Sequence, residues 1–259
     1  MKKILLFILS ICLLTTTAEC SVYNGNVSKE GSIDGTHRIV DADTNQPIGG
    51  AEINIPQKKF STKTNQNGMF NLKADISGDT IMSVKKDGYK PFSLTINEQI
   101  ASRPITVGIE KSSPRDIQIE SSLLHLGDNS YSELSANAGE FKVQSAGPSY
   151  TKQFLIKSAN GNSNLVIGSI IGIDTKMARS MGQNKIVYAY SSPPEVFFNG
   201  TKIAEIQLNG DGQRIKIPNN LIKQNKLNEV TIKTGRNMAQ TSYIDYDDIE
   251  FMNLYIESN

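Results

Sequence analysis

The stretch PEVFFNGTKIAEIQLNGDGQRIKIPNNLIKQNKLNEVTIK, residues 194–233, decides the fold class. Asn199-Gly200 stands between the apolar-rich runs Glu195 to Phe198 and Lys202 to Leu208. A type I′ turn needs positive φ at both central residues, which Asn and Gly tolerate, so this pair predicts a tight β-hairpin. Asn209-Gly210-Asp211-Gly212 predicts a second turn. A strand from Arg214 to Ile217, a short helical turn from Pro218 to Gln224 and a strand from Glu229 to Lys233 follow. This is the grammar of an antiparallel sandwich, not of an α/β sheet.

Working outward, the C-terminal run from Ile249 to Ile256 is apolar in both phases, with Ile249, Phe251, Asn253 and Tyr255 on one face and Glu250, Met252, Leu254 and Ile256 on the other. Such a strand belongs in the middle of a sandwich, and its expected neighbour is Arg115 to Glu120. Leu165 to Ile173 is also apolar on both faces, and Met177 to Met181 predicts one helical turn within a loop. Between Thr36 and Lys111 short alternating runs are separated by turn residues every eight to twelve positions, again a sandwich.

The N-terminus reads MKKILLFILSICLLTTTAEC, with two lysines, an apolar stretch and small polar residues, the build of a secretory signal peptide. Cleavage after Ala18 or after Cys20 both fit, as does a lipoprotein reading with Cys20 acylated, which Glu19 disfavours. Only Cys12 and Cys20 are present, so no disulfide framework is expected despite export. With 27 basic and 26 acidic residues the net charge is +1, which gives no electrostatic footprint for nucleic acid. No later apolar run approaches a membrane span. The expected location is secreted, periplasmic or cell-surface.

The run Ile39-Val40-Asp41, Thr44 to Ile53 with Pro47 and Gly49-Gly50-Ala51, then Thr64 to Phe70 with Asn67-Gly68, then Asp87-Gly88-Tyr89, resembles the carboxypeptidase regulatory-like family. The resemblance implies a seven-stranded transthyretin-like sandwich acting as an accessory spacer or docking module, with no catalytic residue. The later motifs are Val196 to Gly200, Ile215 to Pro218, Leu227 to Ile232 and Tyr246 to Leu254. Together they look like the galactose-binding-like jelly roll of many carbohydrate-binding modules, with Asn225 where a glycine usually ends the helical turn. The expected organisation is a signal peptide at 1–20, a flexible leader at 21–35, a first sandwich at 36–111, a linker at 112–114 and a jelly roll at 115–259. The whole chain is expected to be all-β, with two antiparallel sandwiches.

Chemistry is sparse. His37 and His125 are the only histidines, no HExxH or GxSxG motif occurs, and His125 between two leucines reads as a packed histidine. No enzyme is expected. Asp245, Asp247, Asp248 and Glu250 crowd four carboxylates into six residues, which a hard cation such as Ca²⁺ would relieve. The jelly-roll resemblance implies a structural calcium between first and last strands, with Glu120, Asp247, Asp248 and Glu250 as ligands. Sugar recognition uses aromatic rings and planar polar groups. The chain has no Trp, so Asn129 and Tyr131 in one loop and Tyr243 in another are the candidate ligand contacts, while Tyr188 and Tyr190 share a phase and read as core. Asn26 and Asn199 fit glycosylation triplets, the second already explained by its turn. The expected function is secreted, non-catalytic binding of a glycan or cell-surface polysaccharide. The alternative is an envelope structural or adhesion protein that contacts other proteins.

Overall fold

A computed structural model describes residues 37–129, 141–157, 162–183, 191–236 and 248–258. The described part is one compact unit of stacked β-sheets.

The first sandwich has seven strands: β1 His37–Asp41, β2 Glu52–Ile55, β3 Phe60–Lys63, β4 Met69–Phe70, β5 Thr80–Lys85, β6 Phe92–Ile96 and β7 Thr106–Ile109. One sheet has the order β4-β1-β7 and the other β3-β2-β5-β6. Ile39, Ile53, Ile55, Met82, Val84, Ile96 and Ile109 fill the space between them. As expected of an antiparallel sandwich, the pairs are antiparallel, except β1 with β7, which is parallel. The short helix α1 Glu98–Ala101, capped by Asn97, lies in the crossover between β6 and β7 and lets the chain re-enter in the same direction as β1. The separated motifs that carry the family resemblance meet at Asp41. Its Oδ1 accepts the N–H of Thr44 at 2.9 Å and its Oδ2 accepts the Tyr89 hydroxyl at 3.0 Å.

The second sandwich contains β8 Ile117–Glu120, β9 Leu124–Leu126, β10 Ser149–Ile156, β11 Ser163–Ile171, β12 Glu195–Phe198, β13 Thr201–Glu205, β14 Gly210–Ile217, β15 Lys226–Lys233 and β16 Ile249–Ser258. Its outer sheet runs β10-β15-β12-β13 and its inner sheet β14-β11-β16-β8, with β9 also paired to β16. As expected, β8 pairs antiparallel with β16, and the helical turn α2 Lys176–Ser180 sits between β11 and β12. Asn199 and Gly200 have φ of 49° and 80°, the hairpin geometry their sequence predicts, and Asn225 takes the left-handed conformation at φ 53°. Two boundaries differ from expectation. The segment around Asn209 is the crossing from β13 in the outer sheet to β14 in the inner one, and β14 starts at Gly210, before Arg214.

The inner sheet is covered on both faces. Leu165, Ile167, Phe251, Leu254 and Ile256 pack towards the outer sheet with Phe198, Val230 and Ile232. On the other face Ile171, Met252 and Leu123 pack against Ile81 of β5, and β11 and β14 lie against β6. The result is four sheets in series.

Asn253 causes the one clear departure in β16. Its φ of 59° breaks the alternation, so Ile249 and Phe251 share a face with Leu254 and Ile256, whereas the sequence pattern puts these pairs on opposite faces. The kinked strand turns Asn253 towards the first sandwich, where its Nδ2 donates to the Phe92 carbonyl at 2.9 Å. Opposite, Gly168 has no room for a side chain: a Cβ would lie 2.4 Å from Ser93 Oγ, 2.7 Å from Asn253 Cβ and 3.0 Å from the Met252 carbonyl. Glycine here serves close approach of two sheets rather than a special φ. Among the described residues no helix is long and apolar enough to cross a membrane.

Gly168→Ala is expected to destabilise the protein by overpacking, on the order of 1–3 kcal/mol. Circular-dichroism melts of the full chain should show a lower Tm, and an unchanged Tm would refute the close-approach account.

Candidate functional site

Sequence reasoning points to the loops beside β9 and before β16, and the structure joins them through a buried histidine. His125 lies on β9 opposite Glu250 of β16. Its Nδ1 faces the Val143 carbonyl at 2.5 Å and its Nε2 faces Asp248 Oδ1 at 2.7 Å. A carbonyl only accepts and a carboxylate accepts, so this pair of partners favours the ring form that donates from both nitrogens, the imidazolium. Burial alone would lower its pKa, but the bonds to Asp248 and Val143 and the charges of Asp248 and Glu250 outweigh this and raise it. Asp248 Oδ1 also accepts the N–H of Asn129 at 3.0 Å. Gly127 fits between them because a Cβ would fall 2.2 Å from that same oxygen.

Asn129, at φ 60°, accepts the N–H of Ser145 at 2.9 Å through its side-chain carbonyl. Tyr131, Tyr243 and Asp247 lie outside the described residues, as do Tyr188, Tyr190 and Asn26. Asn199 donates to the Leu221 carbonyl and to Asn228 Oδ1, and accepts the N–H of Glu229, so its amide belongs to the hairpin.

The three described members of the predicted calcium set do not converge. Glu120 is turned to β10, accepting from the backbone of Ser121 and Ser122 and from the Tyr150 hydroxyl at 3.0 Å. Glu250 is turned the opposite way, towards the first sandwich, where Gln57 Nε2 donates to it at 2.7 Å. Asp248 is committed to His125 and Asn129. Among the described residues no three His, Cys, Asp or Glu side chains form a metal-binding group, and one ion bridging Glu120 and Glu250 does not fit this arrangement.

Glu250 is the most perturbed carboxyl near the loops. Fully buried, it is pushed up to about 7 by loss of solvation, with Gln57 and His125 acting against the shift, and its Oε1 has no hydrogen-bond partner among the described residues. Asp174 is likewise raised to about 6 by burial, offset by Arg179 at 3.0 Å beside α2. His37 is buried in the first sandwich, which lowers its pKa.

Sequence reasoning missed a second feature, a cleft of about 410 Å³ where the two sandwiches meet. Its walls come from β2 and β5 on one side and β8 on the other, with Met252 and Asn253 of β16 also lining it and the loop from Lys86 to Pro91 at its mouth. Nothing in the local sequence of Asn54, Ser83 or Gln118 marks them as neighbours, because their proximity depends on how the sandwiches stack.

With this geometry established, comparison with known families gives one match. Residues 34–121 match the family model of the CarboxypepD_reg-like domain. The match covers the first sandwich and extends into β8, the strand that joins the inner sheet of the second. No curated protein matches the chain.

The buried network sets a pH dependence. The proton on Glu250 is held more tightly folded than unfolded, so stability falls as pH rises from about 4.5 to about 7. His125, also raised, loses its contribution in the same direction. Tm is expected to be higher near pH 5 than near pH 8, and Glu250→Gln should flatten the profile and raise Tm near pH 8. A level wild-type profile across that range would count against this assignment.

Proposed function

We propose that this chain is an exported, non-catalytic carbohydrate-binding protein in which a galactose-binding-like second sandwich carries the ligand loops and the CarboxypepD_reg-like sandwich supports it. The observation that carries the reading is the bond from Asn129 N–H to Asp248 Oδ1 at 3.0 Å. It ties Asn129, which precedes Tyr131 in the sequence, to Asp248, which follows Tyr243. Tyrosine supplies an apolar ring and a polar tip, the combination that packs on a sugar face and reads its hydroxyls. The histidines support the non-catalytic reading: His125 is held at both nitrogens and His37 Nδ1 faces the Ile105 N–H at 3.4 Å.

A second reading, an envelope structural or adhesion protein, draws on Leu155 and Leu227. They are register partners on β10 and β15 and are 45% and 60% exposed. Exposed apolar pairs on a sheet suit protein contact.

The deciding experiment uses the full chain, because excising the second sandwich would uncover Ile171 and Met252. Retention on polysaccharide affinity gels and signal on a glycan array are expected, and both should be lost in a folded Tyr131→Ala, Tyr243→Ala double variant. A folded wild-type chain retained by no glycan would favour the adhesion reading.

A further inference from the structure

The inter-sandwich cleft has the composition of a binding site in its own right. Asn54 and Ser83 are register partners on β2 and β5, so their side chains stand side by side on the face of the first sandwich that looks at the second. Gln118 and Ser121 line the cleft from the other sandwich. None of these four side chains makes a hydrogen bond to another described residue, whereas three of the charged liners around them, Glu52, Lys86 and Lys90, are engaged. Glu52 pairs with Lys63 at 3.0 Å, Lys86 donates to the Gly49 carbonyl at 2.8 Å, and Lys90 is held by Glu257 and Glu110. The groups free to meet a ligand are therefore mostly uncharged amides and hydroxyls that both donate and accept. A volume of about 410 Å³ is within the range of small-molecule sites.

We propose that this cleft binds a short, uncharged oligosaccharide, with Asn54 and Ser83 reading hydroxyls from one wall and Gln118 and Ser121 from the other. A neutral polyhydroxylated ligand is favoured over an anion because Lys86 and Lys90 already have acceptors and the other two charged side chains lining the cleft near its mouth, Lys85 and Asp87, are of opposite sign. The site is composite: neither sandwich alone supplies both walls. It is independent of the loops of Asn129, and takes from the glycan reading only the choice of probes.

The test is titration calorimetry of the full chain with neutral gluco-, xylo- and galacto-oligosaccharides, alongside polysaccharide gels. Saturable binding to at least one short oligosaccharide is expected. Asn54→Ala and Gln118→Ala, which break no hydrogen bond to a described residue, should each weaken it by about threefold to tenfold with an unchanged melting curve. The Tyr131→Ala, Tyr243→Ala double variant should keep it. Binding that survives both cleft substitutions overturns the proposal. So does a wild-type chain that is retained on polysaccharide yet binds no short oligosaccharide, and in that case the loop reading stands. Absence of both kinds of binding overturns both.

Discussion

The close approach of β11 and β16 to β6 governs how this molecule is built. Two sheets normally stack about 10 Å apart with side chains interleaved between them. At Gly168 there is no side chain to interleave, and the space a Cβ would take is filled by Ser93, Asn253 and the Met252 carbonyl. Asn253 completes the fit by adopting positive φ, which Asn tolerates better than other non-glycine residues. The same conformation switches the phase of β16, and that switch gathers Ile249, Phe251, Leu254 and Ile256 on the one face that packs towards the outer sheet. One backbone distortion thus accounts for the pinch, the altered alternation and the burial of Ile249–Ser258 throughout its length.

Charged groups fix how the sandwiches are oriented around this pinch. Lys90 from the first sandwich reaches Glu257 on β16, which Arg214 on β14 also holds at 3.0 Å. Asp211 on β14 accepts the N–H of Thr95, a donor on the open edge of β6, and binds Ser169 at 2.7 Å. Buried ion pairs add little net stability because desolvation offsets attraction, yet breaking one leaves a costly unpaired charge. Their effect is to penalise a slipped or rotated stack. Capping the β6 edge with a carboxylate also keeps it from pairing with another strand.

The elements were legible from local pattern, but their assembly was not. Asn199-Gly200, Asn225 and the pairing of β8 with β16 follow from turn chemistry and strand order, and the structure has them as expected. The phase of β16 could not be read, because alternation presumes extended backbone and Asn253 leaves it. The partners of Glu250 and Glu120 were equally hidden. An acidic cluster in sequence suggests one ion, but Asp248 is taken by His125 and Glu250 by Gln57, which is 193 positions away from it. Apolar residues on both faces of Leu165 to Ile173 did signal that something covers the sheet twice. That the second cover is the first sandwich needed the three-dimensional arrangement.

The same interface explains why the cleft is polar. On the β6 side the sheets touch so closely that only glycine and small side chains fit, and Ser93 Oγ is left buried without a partner among the described residues. In the middle, Ile81, Ile171 and Met252 exclude water and each adds about 1.5–3 kcal/mol by burial. At the β2 and β8 side the surfaces part, and Asn54 and Gln118 take the places where apolar residues would otherwise continue the seam. An apolar residue at those positions would extend the burial and close the gap. Unpaired amides cost stability when enclosed without water or a partner, so they persist where the stack stays open, and the opening is what gives the cleft its capacity for a ligand.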